Sequence, residues 1–520
     1  MALFQLVNID DDDVRRYAWK VVSNTVSIFM AVVFFHGNSR LLKYLFVEVI
    51  GVNGHIMTAI HFVHCSFYVG AMFFVVSISV GAVGEGPAPD LEAEAWTVAD
   101  AMLVNYGDVV PPQAVRAVQH HDHSAKKSIT WDRWGMEVPV TKVRVEHSRR
   151  QRAGKMWSTL LAHMAGFAAI AAGGSMQQEE PFRNTPWLVL VPVVLTVGVL
   201  FVFFQASQIF RREISVGPDH HHIKRASIAI EAMFEAENDI LALATSFLVA
   251  QAVRFSISGQ MPNDEGMEEP LRFVVQWHHV ALISFAGCGF MLVSVIVTNF
   301  RPILVGSAAT GEEGEDSLPE RAVDAVVNAS AMAFAWCMFS AGRWAWLITP
   351  VFGLHIMSID ARIMLALFMS FGCFGIVWVL DKVDDSLREA SRPNKGAARM
   401  ISSIVSAVSV LVGFSWEHSF DGAVTAIAAL QPHHPVIIKF GLGFFVFFYL
   451  LRPWKKYILK RSMQLDELKK DRDKQMEMRE AALCGELHLM QGPGAPFVQP
   501  PMPGYERLPH MSPHMAFAPR

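Results

Sequence analysis

Ten apolar stretches recur along the chain, each close to the ~20 residues a helix needs to cross ~30 Å of hydrocarbon. They lie at roughly 17–36, 55–83, 156–174, 187–210, 239–258, 276–300, 324–345, 358–380, 401–427 and 435–452. Inside hydrocarbon no water satisfies backbone N–H and C=O groups, so a spanning chain is restricted to helices or a closed barrel. These stretches are continuous apolar runs rather than the alternating ~10-residue segments of barrel strands, so helices are predicted. Of the residues, 52% are hydrophobic and 18% charged, against about a quarter charged in soluble domains. The expected fold class is all-α: a polytopic membrane helix bundle of about ten transmembrane helices.

Lys and Arg orient the stack. One set of loops holds Arg149, Arg150, Arg152 and Lys155, then Arg211, Arg212, Lys224 and Arg225, then Lys382, Arg388, Arg392 and Lys395, then Arg452, Lys455, Lys456, Lys460 and Arg461. The alternate loops hold few cations and carry Glu179, Glu180, Asp264, Glu265, Glu268 and Glu269. The basic set is expected to face the cytoplasm, which places both termini inside. Asp10 to Asp13 ahead of Arg15 and Arg16 do not resemble a cleavable signal, so the first stretch reads as an uncleaved anchor. The stretches that fit a spanning helix least well are the first, with Lys20, and the ninth, with Glu417 and Asp421.

The stretches and loops divide the chain into seven parts. These are a cytoplasmic N-terminus (1–16), an N-terminal transmembrane hairpin (17–84), a cytoplasmic loop (85–155), a four-helix membrane repeat A (156–302), a repeat B (319–453), a basic, charged cytoplasmic helix (454–490) and a disordered Pro- and Met-rich tail (491–520). Within the loop, 92–106 suits a short helix. Met136 to His147 alternates in the period of a strand, too little by itself to bury a core. The basic run after 453 suits anionic lipid, at about 1 kcal/mol per charge near the surface. No nucleic-acid partner is implied, and the sequence does not fix an oligomeric state.

The two repeats rest on a pattern that occurs twice. Gln276-Trp277-His278-His279 is followed by Phe285, Gly287 and Gly289 and ends at Arg301-Pro302; Gln431-Pro432-His433-His434 is followed by Phe440, Gly441 and Gly443 and ends at Arg452-Pro453. An even number of helices per copy makes the repeats parallel, an arrangement common in transporters. The fifth and ninth stretches align so that Arg254 and Glu417 are equivalent. A charge in mid-bilayer costs at least ~2.5–3.5 kcal/mol, so an Arg254–Glu417 pair across the pseudo-axis is expected. Small residues at Ala165-Gly166, Gly173-Gly174, Gly287/Gly289, Gly372/Gly375 and Gly441/Gly443 favour close helix approach.

The candidate ion or solute path comprises Arg254, Glu417, Asp421, His418 and Arg343. Glu417 and Asp421 share one helical face and suit a cation or proton. Arg343 is expected to snorkel beside Trp344. Glu237 and Asp239 read as helix-start carboxylates, and Lys439 lies close enough to an end to snorkel. The pairs His278, His279 and His433, His434 are expected at the outer mouth, where they would gate or bind. Metal-suited donors, for Zn²⁺ or another divalent ion, are His61, His64 and Cys65 at helical spacing and the loop clusters His120, His121, His123 and His220, His221, His222. No resident cofactor is implied. The five cysteines suggest no disulfide framework.

The leading functional expectation is a transporter or channel for an ion or small solute. The alternatives are a multi-pass scaffold or receptor that recruits partners through its cytoplasmic loop and tail, and a divalent-metal transporter. The chain has no G-x-S-x-G, HExxH, P-loop or Rossmann motif, so an enzyme is not expected.

Overall fold

A computed structural model describes residues 9, 11–83, 128–131, 137–140, 142–215, 220–263, 266–268, 270–305, 318–356, 358–390, 395–431, 433–470, 472, 473 and 475. It contains ten helices long and apolar enough to cross a membrane. We number them α1 (Asp12–Lys43), α2 (Gly54–Val80), α3 (Lys142–Gln177), α4 (Leu190–Ser215), α5 (His220–Ser258), α6 (Trp277–Val305), α7 (Leu318–Ile348), α8 (Ile359–Ala390), α9 (Lys395–Ala429) and α10 (Pro435–Pro453). The chain divides into two compact units, Met1–Gln464 and Leu465–Arg520. The first contains all ten numbered helices. In the second the described residues are helical.

Local chemistry fixes several boundaries. Asp11 caps α1 by accepting from the Asp13 and Val14 N–H groups, the role of an N-cap carboxylate. Asn53 does the same for α2 through the Ile56 N–H at 3.1 Å. Gly81 ends α2 at φ 80°, a left-handed C-cap that other residues resist. α1 runs on through a π-helical segment, Tyr44–Val49, and α10 through another, Trp454–Leu459. Strands β1 (Ser128–Trp131) and β2 (Glu137–Val140) pair antiparallel, with Ser128 opposite Val140. The strand predicted over 136–147 therefore stops at Val140, and α3 begins at Lys142. The predicted helix at 92–106, the clusters around His120 and the tail 491–520 lie outside the described residues.

The odd-numbered helices form a closed ring. α1 packs on α3, α3 on α5, α5 on α7, α7 on α9, and α9 back on α1. Their contacts rise together, so the helices run parallel. Between α1 and α9, Lys20 meets Ser402, Thr25 meets the Ser409 carbonyl, His36 meets Glu417 and Arg40 meets Asp421. Between α3 and α5, Gly166 and Gly173 meet Leu243 and Leu248. Between α5 and α7, Glu237 meets Arg321 and Phe247 meets Trp336. Between α7 and α9, Asn328 meets Ser403 and Phe339 meets His418.

The even-numbered helices run antiparallel on the outside, each against a ring helix. Cys65 of α2 meets Ala165 of α3, and Ser207 of α4 meets Glu237 of α5. Ser294 of α6 meets Val327 of α7, and Ser370 of α8 meets Trp416 of α9. Trp454, just beyond α10, donates to the Ser23 carbonyl of α1 at 3.0 Å. α1 is thus no accessory anchor: it packs chiefly against α9, α10 and α3 rather than against α2.

The small residues sort by layer. A Cβ on Gly173 would lie 2.5 Å from Leu248, and one on Gly413 would lie 2.9 Å from Ile28, so both glycines permit close approach inside the ring. Gly372 and Gly375, on the outer α8, have nothing within 4 Å of an added Cβ, so they do not serve the close packing expected of them. Gly287 abuts Cys337 and Met338 while Gly289 is open; in α10 the order is reversed, with Gly441 open and Gly443 against Val33. The two copies of the sequence pattern therefore turn different glycines inward.

Candidate solute path

The ring holds buried charge at both ends. At the end where α1, α3, α5, α7 and α9 terminate, Glu417 is 3% exposed and its Oε1 lies 2.6 Å from His36 Nδ1. One turn on, Arg40 grips Asp421 through two bonds, at 2.5 and 3.1 Å. Arg362 Nη1 reaches the His418 carbonyl at 3.4 Å, and the His418 ring packs edge-on against Phe339. The two carboxylates share a face as the spacing predicted, and that face points at α1.

Arg254 is not paired with Glu417. Its Nε donates to Glu268 Oε1 at 2.9 Å and its Nη1 to the Gly266 carbonyl at 2.6 Å. The chain leaving α5 folds back over the end of that helix and supplies the carboxylate locally. α5 and α9 are separated in the ring by α7, so the proposed pair has no direct route. Arg343 shares the same partner: its Nη1 lies 3.6 Å from Glu268 Oε2 and 2.6 Å from Met267 Sδ. It is 5% exposed, so it is held inside rather than snorkelling. Burial opposes ionisation of Glu268, but Arg254 and Arg343 outweigh that and hold its carboxyl below the ordinary range.

Beneath this end, aromatic side chains from all five ring helices meet. Phe35 stacks near Phe167, with centroids 6.4 Å apart. Phe247 meets Trp336 edge-on at 4.9 Å, and Trp336 meets Phe414 edge-on at 4.8 Å. A cavity of about 30 Å³ lies inside the ring between these aromatics and His36, Ser39, Arg40 and Lys43. A second, of about 20 Å³, lies between α1, α9 and α10 and is lined by Glu417, Asp421 and Lys439.

The opposite end carries a separate network that sequence reading missed. Glu237 is fully buried and binds Arg211 of α4 and, at 2.9 Å, Arg321 of α7. Arg211 and Arg321 both stack on Phe234. Neither Glu237 nor Asp239 starts a helix, because α5 begins at His220, well before the apolar stretch. Arg211 belongs to α4 itself rather than to a loop. Arg211 lies 26 residues before Glu237 and Arg321 84 residues after it, so no local spacing signalled the network.

Among the described residues the histidines assemble no metal centre: no group of three or more His, Cys, Asp or Glu could hold a metal ion. Cys65 donates to the Ala165 carbonyl at 3.5 Å, and His64 lies 3.2 Å from the Asn38 amide; both are engaged in helix packing, as is the fully buried His61. His220, His221 and His222 open α5. At the start of α6 His278 is exposed and His279 half-buried, and His279 Nδ1 accepts the Gln276 N–H at 3.1 Å. His433 and His434 are exposed just before α10. Each pair thus marks the start of an outer helix, away from the ring axis.

Comparison of the chain with protein-family models, with curated proteins and with solved structures finds no match.

Proposed function

We propose that the chain is an integral membrane transporter or channel whose path follows the axis of the α1–α3–α5–α7–α9 ring. The observation that carries this reading is the placement of charge and aromatic side chains. Glu417, Arg254, Arg343 and Glu237 are all buried, and all sit on ring helices. Burying charge in a bundle is costly, and in membrane proteins it marks routes for ions or solutes. The aromatic layer then acts as a closed constriction beneath a polar mouth.

The remaining features fit this placement. The outer helices carry large exposed apolar side chains, such as Phe285 at 79% and Tyr449 at 69%, as a lipid-facing layer would. Lys455, Lys456, Lys460 and Arg461 are exposed, so the segment beyond α10 offers a basic face to anionic lipid on the cytoplasmic side. A duplication of four helices is supported by matching neighbours: α3–α5, α4–α5 and α5–α6 recur as α7–α9, α8–α9 and α9–α10. The unequal glycine registers argue that any common ancestry is old.

The test is reconstitution of the purified full chain into liposomes. Uptake of at least one ion or small solute above that of empty vesicles is expected. Vesicles that hold folded protein yet match the empty control across anions, cations and neutral solutes would overturn the reading and favour a scaffold.

A further inference from the structure

Two ionisable side chains in the middle of the ring are not used by the packing. His163 stands at the centre of the spanning stretch Arg149–Gln177 of α3, and Asp239 near the centre of Arg225–Ser258 of α5. His163 is 7% exposed, and its Nδ1 is buried without a hydrogen-bond partner. Asp239 is half-buried and forms no hydrogen bond or ion pair with a described residue. Glu417, Asp421, Glu237 and Glu268, by contrast, each hold a basic partner. A polar group that serves only to join helices is held by hydrogen bonds, because an unpaired group loses its water without return. An ionisable group kept inside a spanning bundle without such bonds points to function.

The two groups stand at one level on adjoining helices. α3 and α5 run parallel and meet nearer their starts at Lys155 and Glu235, and nearer their ends at Gly166 and Leu243. His163 and Asp239 lie between those contacts, with Asp239 about one turn from both Glu235 and Leu243. His163 shares a face of α3 with Phe167 and Ile170, which line the cavity inside the ring. Asp239 is within electrostatic reach of Lys20 on α1 as well as of Lys155. α3 separates α1 from α5 in the ring, so that reach runs across the interior. The other charged and titratable groups facing this level have bonds of their own. Lys155 binds Glu235, and Lys20 binds Ser402 of α9. Arg211 of α4 binds Glu237, and Asp324 of α7 faces Arg301 of α6. From α2, Cys65 donates to the Ala165 carbonyl, and His64 and Tyr68 turn to Asn38 of α1.

We infer that Asp239 and His163 form a proton-binding site inside the ring and that transport is coupled to protons. This rests on the transport reading above and deepens it. A metal cation calls for several oxygen ligands, whereas here one carboxyl group and one imidazole stand with two ammonium groups in reach. A proton needs a single site, and both groups can hold one. Asp239 takes a proton from water on the side where the ring helices start and passes it on to a ring nitrogen of His163. Phe167, on the next turn of α3, belongs to the aromatic layer that closes the way onward. When that layer parts, the imidazolium returns the proton to water beyond it, and both groups end as they began. The proton route is thereby moved from Glu417 and Asp421, which His36 and Arg40 hold, to a pair without fixed partners.

The experiment uses the full-length protein in liposomes loaded with a pH-sensitive dye, with the membrane potential clamped by potassium and valinomycin and the outside made acid. The lumen is expected to acidify faster than in empty vesicles. Asp239→Asn is expected to abolish that excess, Asp239→Glu to restore part of it, and His163→Gln to slow it. Elution profile and melting temperature, measured on each variant, separate lost proton transfer from misfolding, and His163→Gln carries the test if Asp239→Asn does not fold. Uptake of an ion or solute without acidification would overturn the proton site and leave the transport reading standing. So would acidification that is unchanged in a folded Asp239→Asn protein, or uptake that a sodium gradient drives and a proton gradient does not. Vesicles that hold folded protein and pass neither protons nor any other ion or solute would overturn both. A folded His163→Gln protein that acidifies the lumen like the parent would remove His163 from the site.

Discussion

The ring helices and the helices around them solve different problems with similar residues. In α3, 78% of the apolar stretch is buried within the protein; in α10, only 11%. The contrast holds for α5 and α9, at 67% and 72%, against α6 and α8, at 17% and 28%, and closes between ring helix α7 and outer helix α2, both at 50%. An outer helix needs one narrow seam against the ring and can leave the rest to lipid. A ring helix must match two ring neighbours and an outer partner at once. Close approach then requires glycine where helices cross, and it allows ionisable groups because partners are near. Where a polar residue sits in the sequence is therefore less informative than which layer its helix joins.

The sharpest way to break this contrast is to add bulk at matched glycines. Gly413→Leu would drive its side chain into Ile28 and the Thr25 carbonyl, both within 3.1 Å of the first added carbon. Overpacking of this kind typically costs about 1–3 kcal/mol and more where backbone blocks relaxation. We expect the variant to be lost from the folded fraction in detergent. Gly372→Leu, on an outer helix with nothing within 4 Å, should elute and melt like the parent. Equal behaviour of the two variants would erase the distinction between layers.

The loss of a buried ion pair gives a second test. Arg254→Gln leaves Glu268 buried with Arg343 as its one close cation among the described residues, at 3.6 Å. Removing one partner of a buried pair costs about 3–5 kcal/mol, less whatever Arg343 recovers. The exposed pair Arg183–Glu180 should contribute at most about 1 kcal/mol. The pH dependence follows from sign. Glu268 has a folded-state pKa below its ordinary value, so its contribution is complete above the ordinary carboxylate range and fades as pH falls through the folded value. Melting temperature against pH should drop on the acid side, and Glu268→Gln should flatten that part of the curve. An unchanged acid limb would place the stabilising charge elsewhere.

The same contrast explains how much could be read in advance. All ten helices were visible as apolar stretches, because hydropathy reports the surface a helix shows to lipid. Ring helices were read too short: 239–258 grew to His220–Ser258, and 17–36 grew to Asp12–Lys43. Their polar ends, with Glu237 and Arg40, look like loop to a scale that cannot see a facing partner. The face shared by Glu417 and Asp421 followed from helical spacing, but its partners did not. His36 and Arg40 lie 381 residues away, and nothing local signals that the first helix closes a ring against the ninth. Arg254 was misassigned for the opposite reason: its carboxylate is only 14 residues on, in a loop with several acids of equal promise.

The smallest expected effect concerns the outer face itself. Phe285 of α6 is 79% exposed and Phe445 of α10 is 63% exposed. If these rings meet only lipid, exchanging them for alanine removes no protein contact, and substitutions of that kind usually stay within about 0.5 kcal/mol. Detergent melting of Phe285→Ala and Phe445→Ala should therefore match the parent, while Phe414→Ala, 4% exposed within the aromatic layer, should lose about 3–5 kcal/mol. A large loss at Phe285 or Phe445 would be the more instructive result. It would mean that this face is covered by protein rather than lipid, and a concentration-dependent melting temperature would identify the cover as a second copy of the chain.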